Sequence, residues 1–375
     1  METCDVLIVG GGPAGSTCAW RLRQLGYDVV VIDKARFPRD KTCAGWIVPQ
    51  VIESLQLDVA DYSASHVWQP MTGFQIGLWD QPGKVVRFDR AVSYGIRRCE
   101  FDAYLLARSG ARLHLGEAVH QIEQTDTGWE INGQFKAPLL IGAGGHFCPV
   151  ARQLRVKHAF RASIVTAVEV EMPIAQQPID QTLDGETPRL YFCDDLAGYG
   201  WCVRKQTVLN LGVGRVDARD VPFHWGQLLD RFRREQIVTG ELSIPTHGHA
   251  YHIYQGETSA MIDDGVLLIG DAAGLADSRS GEGIRPAVES GLMAAATIHA
   301  SRGHYDRARL QRYSAQIRQR FGSVASSSEA AKEPNAASPW RKYLLNCLFG
   351  SRWFSRHVIL NRWFLHAQLK ALQAM

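Results

Sequence analysis

The chain has 375 residues, 46% hydrophobic and 21% charged, with a formal net charge of +3. That length holds one large or two modest domains with an ordinary core, and charge of mixed sign argues against general disorder. The basicity is uneven: from residue 334 onward there is no Asp or Glu, while Arg341, Lys342, Arg352, Arg356, Arg362 and Lys370 are cationic, which leaves the rest mildly acidic.

Eight cysteines (Cys4, Cys18, Cys43, Cys99, Cys148, Cys193, Cys202 and Cys347) include no C-x-x-C pair. A disulfide scaffold is therefore not expected, and zinc has no spacing signature. The first residues run into "CDVLIVG" without a basic leader, and no apolar run approaches the ~20 residues of a membrane span. These features predict a soluble protein of a reducing cytoplasm.

In chain order, "DVLIVG" is a short apolar run bounded by glycines, as in a buried parallel strand. "PAGSTCAWRLRQLG" follows with helical spacing and ends on Gly26, and "YDVVVIDK" is a second buried strand, completing a βαβ unit. Residues 95–110 predict a helix with Phe101, Leu105 and Leu106 on one side. "PLLIGAGG" and "GVLLIGDAAG" are two further buried strands. Between them "SIVTAVEVEM", "RLYFCDD", "GWCVRK" and "TVLNLGVGR" alternate or are β-branched and aromatic, which predicts an inserted antiparallel sheet. A helix over about 283–300, a polar linker "SVASSSEAAKEPNAAS" and a helical tail complete the chain.

The expected fold is α/β: a Rossmann-type cofactor-binding domain (1–155 and 261–320), an inserted antiparallel β-sheet substrate domain (156–260), and a linker with C-terminal helices (321–375). Gly10, Gly12, Pro13, Ala14 and Gly15 lie in "GGGPAG", which fits G-x-G-x-x-G between a strand and a helix. The glycines allow a tight turn and close approach of backbone to a pyrophosphate, and the helix N-terminus offers free N–H groups. Asp33 ends the second strand, where an acid accepts hydrogen bonds from a ribose. The distal "GDAAGLADSRSGEGI" selects FAD over NAD: Asp271 suits a ribityl hydroxyl, and a helix starting near Gly283 suits negative charge on a reduced flavin.

These paired ends resemble the FAD-dependent monooxygenase and reductase superfamily that includes para-hydroxybenzoate hydroxylase. Within it, the chain most resembles the geranylgeranyl reductase branch. "PRDKTCAG" matches that branch's PR-x-K-x-C-[GA]-G, and "YGWCVRKQTVLNLGVG" corresponds to its Y-x-W-x-F-P, seven residues, then G-x-G. The resemblance implies FAD contacts from Ala14, Asp33, Lys34, Cys43, Ala44, Arg98, Val119, Asp271, Gly283 and Ile284. It places Cys43 beside the isoalloxazine, with a proton-donor or gating role and simple close packing both open. Arg98, in "R-x-x-F-D", meets phosphate or flavin in this reading; a solvated helix charge is the other. Tyr199 and Trp201 are expected to line the substrate side and, with Cys43, form the candidate catalytic set.

Three departures stand out. Gly144 occupies the place of the superfamily's usual Asp; Val203 and Arg204 replace Phe-Pro; and no second G-x-G-x-x-G marks a nicotinamide site. Arg204 either meets an anionic substrate head or sits on a solvated strand end. The donor is left open among NAD(P)H, reduced ferredoxin and reduced flavin.

His247, His249 and His252 have no Cys or carboxylate nearby in sequence, so they read as surface or packing residues and no metal is expected. No G-x-S-x-G supports a hydrolase, and the halogenase motif W-x-W-x-I-P is missing. The basic aromatic tail caps an apolar tunnel or lies in a bilayer interface as a peripheral membrane contact, or else is a helical pair packed on the domain with its polar face solvated. Aromatic–basic interleaving is confined to this tail, so no nucleic-acid partner is expected. The expected activity is reduction of a carbon–carbon double bond in a hydrophobic, isoprenoid-like substrate by hydride from reduced FAD. The alternatives are a flavin monooxygenase, or a membrane-associated flavoprotein acting with a partner.

Overall fold

The computed structural model describes residues 1–157, 163–174, 183–238, 246–256, 259–322 and 339–373. The polar linker 323–338 lies outside them. Strand β1 (Val6–Val9) is wholly buried and runs through a glycine turn into α1 (Pro13–Gln24), which returns the chain to β2 (Val29–Asp33). Next come β3 (Gly73–Leu78), β4 (Lys84–Arg87), α2 (Arg98–Ala107), β5 (Arg112–Leu115) and β6 (Leu139–Gly142). The middle of the chain supplies β7 (Ile164–Pro173), β8 (Arg189–Phe192), β9 (Gly198–Lys205), β10 (Val208–Arg215), α3 (Val221–Arg234) and β11 (His247–His252). The end brings β12 (Ile262–Asp263), β13 (Val266–Leu268), α4 (Ile284–Ala300), α5 (Arg307–Phe321) and α6 (Pro339–Gly350).

Two large sheets organise these elements. The first has the order β12-β13-β6-β1-β2-β5, parallel from β13 to β5. Its four central strands, β13, β6, β1 and β2, are buried on both faces, so each reads as a nearly continuous apolar run. Helices α1 and α4 pack so closely that a Cβ at Gly291 would stand 2.7 Å from the Ala14 carbonyl oxygen.

The second sheet has the order β11-β7-β10-β9-β8-β3-β4. Four of the expected strands form its antiparallel centre. Strand β8 then pairs in parallel with β3, and β4 closes that edge. Residues 73–87, assigned from sequence to the cofactor half, thus belong to the sheet expected over 156–260. Alternation reveals a strand's faces but not its partner, and this partner lies more than a hundred residues away.

The tail is helical, as expected. After α6 a short helical piece (Arg352–Phe354) leads into a π-helical turn (Ser355–Phe364). Leu345, Phe349, Ile359, Leu360, Phe364 and Leu365 are buried in one cluster with Phe74, Phe192 and Trp201 of the second sheet and Val288 of α4. Among the described residues no helix is long and apolar enough to cross a membrane.

Candidate active site

The two sheets face each other across a cavity of about 380 Å³, within the range of small-molecule sites. At one end the β1–α1 turn closes only because of glycine. Gly10 has φ +114° and a Cβ there would sit 2.4 Å from the Ala143 carbonyl oxygen; at Gly15 it would sit 1.9 Å from the Gly10 oxygen. Gly12 is the N-cap of α1 with no side-chain cap, and it lines the cavity with Pro13 and Ala14. Helix α4 begins the same way, from an uncapped Gly283, with Ile284 beside it in the wall. Two helix N-termini with first-turn N–H groups unmet by side chains therefore border one space.

Asp33 and Lys34 line the same end. The Asp33 carboxylate accepts from the Gly11 N–H at 2.7 Å and the Ala35 N–H at 2.8 Å, which fixes the glycine turn relative to β2. Asp271 enters from the loop after β13 with Lys41 and His249 around it. Lys41 Nζ lies 2.5 Å from His249 Nε2, and His249 Nε2 lies 4.0 Å from the Asp271 carboxylate. Burial alone would raise the Asp271 carboxyl, but His249, Lys41 and Arg98 together hold it below the usual range. Burial brings the Lys41 ammonium down to about 8.

Arg98 is the start of α2 and pairs bidentately with Asp102 one turn on, at 2.9 and 2.8 Å, while Arg39 reaches the same carboxylate at 3.2 Å. The acid of "R-x-x-F-D" is thus the i+4 partner of its arginine, and the pair is buried. Arg98 lines the same stretch of the wall as Cys43. It is a wall residue, not a solvated helix charge.

The far end of the cavity is aromatic. Tyr199 donates its hydroxyl to the Ser280 carbonyl at 2.5 Å and packs at 5.3 Å from the Phe364 ring and 6.1 Å from Trp201. Burial raises the Tyr199 hydroxyl well above its ordinary value, so it stays protonated. The Trp201 indole lies across β10: a Cβ at Gly212 would stand 2.2 Å from the ring, and one at Gly214 3.7 Å. The indole N–H donates to Asn210 Oδ1 at 2.7 Å. The spacing from Trp201 to G-x-G is therefore a single packing unit, formed when β9 and β10 pair Trp201 with Gly212.

Of the residues singled out in the sequence, Gly12, Pro13, Ala14, Asp33, Lys34, Cys43, Ala44, Arg98, Tyr199, Trp201, Asp271, Gly283 and Ile284 all line this cavity. Gly10 and Gly15 shape the turn behind it. Val119 lies outside the wall and packs on the core of the first sheet. Arg204 is also outside: its guanidinium donates to the Leu183 carbonyl at 3.0 Å and the Gln206 carbonyl at 3.3 Å. The period of two puts Arg204 opposite Trp201, and the cation on the inner face is Lys205 instead. His249, read from sequence as a surface or packing residue, is a wall residue with Tyr251; their i, i+2 spacing on β11 was the available signal. Lys41 is the lysine of "PRDKTCAG" and Glu282 lies within "GDAAGLADSRSGEGI", so both stood in motifs without being singled out, while Phe364 had no motif of its own. Among the described residues no group of three or more His, Cys, Asp or Glu is arranged to hold a metal.

A family model described as an FAD binding domain matches residues 3–328. The chain belongs to this FAD-binding family. Within the family it is similar to a menaquinone reductase of Mycolicibacterium smegmatis, at 30% identity over 78% of this chain and 75% of that one. It is also similar to a digeranylgeranylglycerophospholipid reductase of Methanothrix thermoacetophila, at 27% identity over 79% and 77%. A geranylgeranyl bacteriochlorophyll reductase-like structure from Thermoplasma acidophilum has the same fold, with a TM-score of 0.77 and 22% identity over 94% and 92% of the two chains. This member of the family is an FAD-dependent oxidoreductase that resembles geranylgeranyl reductases. Its residues fit the cofactor: two uncapped helix N-termini suit a pyrophosphate and a reduced ring, and Asp33 and Asp271 offer carboxylates to sugar hydroxyls.

Proposed function

We propose that the protein saturates a carbon–carbon double bond in a long hydrophobic, isoprenoid-like substrate. The observation that carries this reading is the composition of the wall. Tyr199, Trp201, Trp46 and the tail's Phe364 form one aromatic face continuous with the two helix N-termini, so an apolar chain and a flavin fit one cavity. Menaquinone and digeranylgeranyl lipids, named for two relatives, both carry isoprenoid chains.

In reduced form, FAD supplies hydride from its ring, as in other flavin reductions. The protein binds and orients. The N-termini of α1 and α4 stabilise negative charge, the aromatic face positions the alkene, and the tail keeps bulk water from that face. Tyr199, held protonated by burial and tied to Ser280, stiffens the wall. Cys43 is compact enough to stand at the junction of wall and cofactor cradle, where it packs or passes a proton.

The test is anaerobic incubation of dithionite-reduced, FAD-loaded protein with menaquinone and geranylgeranyl lipids, read by mass spectrometry. A gain of two hydrogens is expected; unchanged alkene with every prenyl substrate would falsify the proposal. Oxygen-dependent gain of one oxygen would select the monooxygenase alternative. Comparing NADPH, NADH and reduced ferredoxin in place of dithionite identifies the donor. In the same assay Cys43→Ala and Cys43→Ser separate packing from proton transfer, since unchanged turnover in both leaves packing alone.

A further inference from the structure

Three side chains, from three strands of the second sheet, converge on the backbone of the loop that carries Cys43, two of them on consecutive carbonyls. Glu169 of β7 stands behind this loop, close to the Cys43 backbone. Asn210 of β10 donates to the Cys43 carbonyl at 3.3 Å, and Lys205 of β9 donates to the Ala44 carbonyl at 3.3 Å. A second layer holds these groups in turn. Asn210 Nδ2 also donates to Glu169 at 3.0 Å, Lys205 reaches Glu171 at 2.7 Å, and Arg97 reaches the other oxygen of Glu171 at 2.8 Å. Across the sheet from Glu169, β11 presents only His247, which is exposed.

Lys205 is fully buried and Glu169 nearly so. Ionic and polar groups in such a place are often no more stabilising than well-packed apolar ones, and their best-attested use is to specify geometry. Here the geometry is explicit, because Asn210 bonds both walls of the cavity at once. Its amide nitrogen holds the Cys43 carbonyl, and its oxygen accepts the Trp201 N–H at 2.7 Å. None of Glu169, Asn210 and Lys205 lines the cavity itself.

We propose that Glu169, Asn210 and Lys205 are positioning residues that set the Cys43–Ala44 backbone at a fixed separation from Trp201, and so fix the gap in which the substrate double bond lies. The word substrate rests on the reductase reading; the fixed separation does not. Room for the clamp is built in: Gly45 has φ +68°, and a Cβ there would stand 2.5 Å from both the Ile96 carbonyl oxygen and Lys205 Nζ, so the loop takes this path only as glycine.

The test measures alkylation of Cys43 by iodoacetamide in FAD-loaded protein, site by site with peptide mass spectrometry, with exposed Cys347 as internal reference. Asn210→Ala and Glu169→Ala are expected to accelerate Cys43 labelling about fivefold or more as the loop opens locally, with Cys347 unchanged. Glu169→Gln keeps an acceptor oxygen and should stay near the parent. With a competent substrate, Asn210→Ala should lower kcat about tenfold with KM little altered, the pattern of misplacement rather than lost binding. Labelling of Asn210→Ala and Glu169→Ala indistinguishable from the parent, in folded protein, overturns the proposal. If Glu169→Ala does not fold, Asn210→Ser and Lys205→Met provide the same comparison. If the parent reduces nothing, the substrate reading falls, while the labelling still decides the clamp.

Discussion

At Glu169, burial pushes the carboxyl up to about 7, outweighing the hydrogen bond from Asn210 and the charge of Lys205. Its neighbour Glu171 would also be raised by burial, yet Lys205 and Arg97 pull it below the usual range. Two carboxylates two residues apart thus differ in charge near neutrality. The unfolded chain releases the Glu169 proton near 4.5, whereas the native state keeps it to about 7. Over that window the native state holds the extra proton, so stability from this group falls as pH rises, by at most about 3 kcal/mol. Glu169→Gln removes the titration. Urea unfolding is expected to show the variant gaining on the parent by about 1–3 kcal/mol between pH 5 and pH 8. An equal difference at both pH values would mean that Glu169 does not titrate in this range.

Among the elements, the β9–β10 pair makes the sharpest discrimination. The two glycines of G-x-G look equivalent in sequence, but only at Gly212 would a Cβ collide with the Trp201 ring. Gly212→Ala would push the indole off its strand, at the about 1–3 kcal/mol of an overpacked core, and would disturb the Asn210 bond. Gly214→Ala, with its nearest atoms at 3.7 Å, is an ordinary contact and should be tolerated. Thermal unfolding of the two variants side by side checks this; equal melting temperatures would refute the packing account. Helix α2 shows the same economy, with Arg98 and Asp102 closing an ion pair within one turn while Phe101 enters the core.

For the whole molecule, the tail decides how the cavity is closed. Gln50 donates to the Leu365 and His366 carbonyls at 3.2 Å, and His366 lies 3.0 Å from Glu282, so the end of the chain is tied to both α4's approach loop and the segment after the Cys43 loop. The inner side of the tail is thereby occupied with the chamber. Elsewhere the tail keeps Tyr343, Leu344 and Trp353 exposed, and Arg352 and Arg362 are exposed as well. The peripheral membrane contact expected from the sequence would use these residues. Trp353→Glu is accordingly expected to weaken sedimentation with phosphatidylglycerol liposomes severalfold while stability stays within about 0.5 kcal/mol. Phe364→Ala should do the reverse, leaving liposome binding intact and lowering turnover and stability, since Phe364 is buried in the wall. Liposome binding unchanged by Trp353→Glu would remove the membrane reading.

The sequence by itself determined the cofactor half, because its signals are local. Glycines of the β1–α1 turn, Asp33 at a strand end, and Gly283 before α4 each take their meaning from neighbours a few residues away. The motif around Cys43 and the Trp201 unit were legible for the same reason. Only the tertiary structure decided what depends on distant pairing. The partnership of β8 with β3, the burial of Lys205 rather than Arg204, the entry of Lys41 and His249 into the wall, and the closure by Phe364 all join residues far apart in the chain. Alternation tells which residues share a face, but not which face meets the cavity; that is fixed when the two sheets and the tail bury their apolar surfaces against one another.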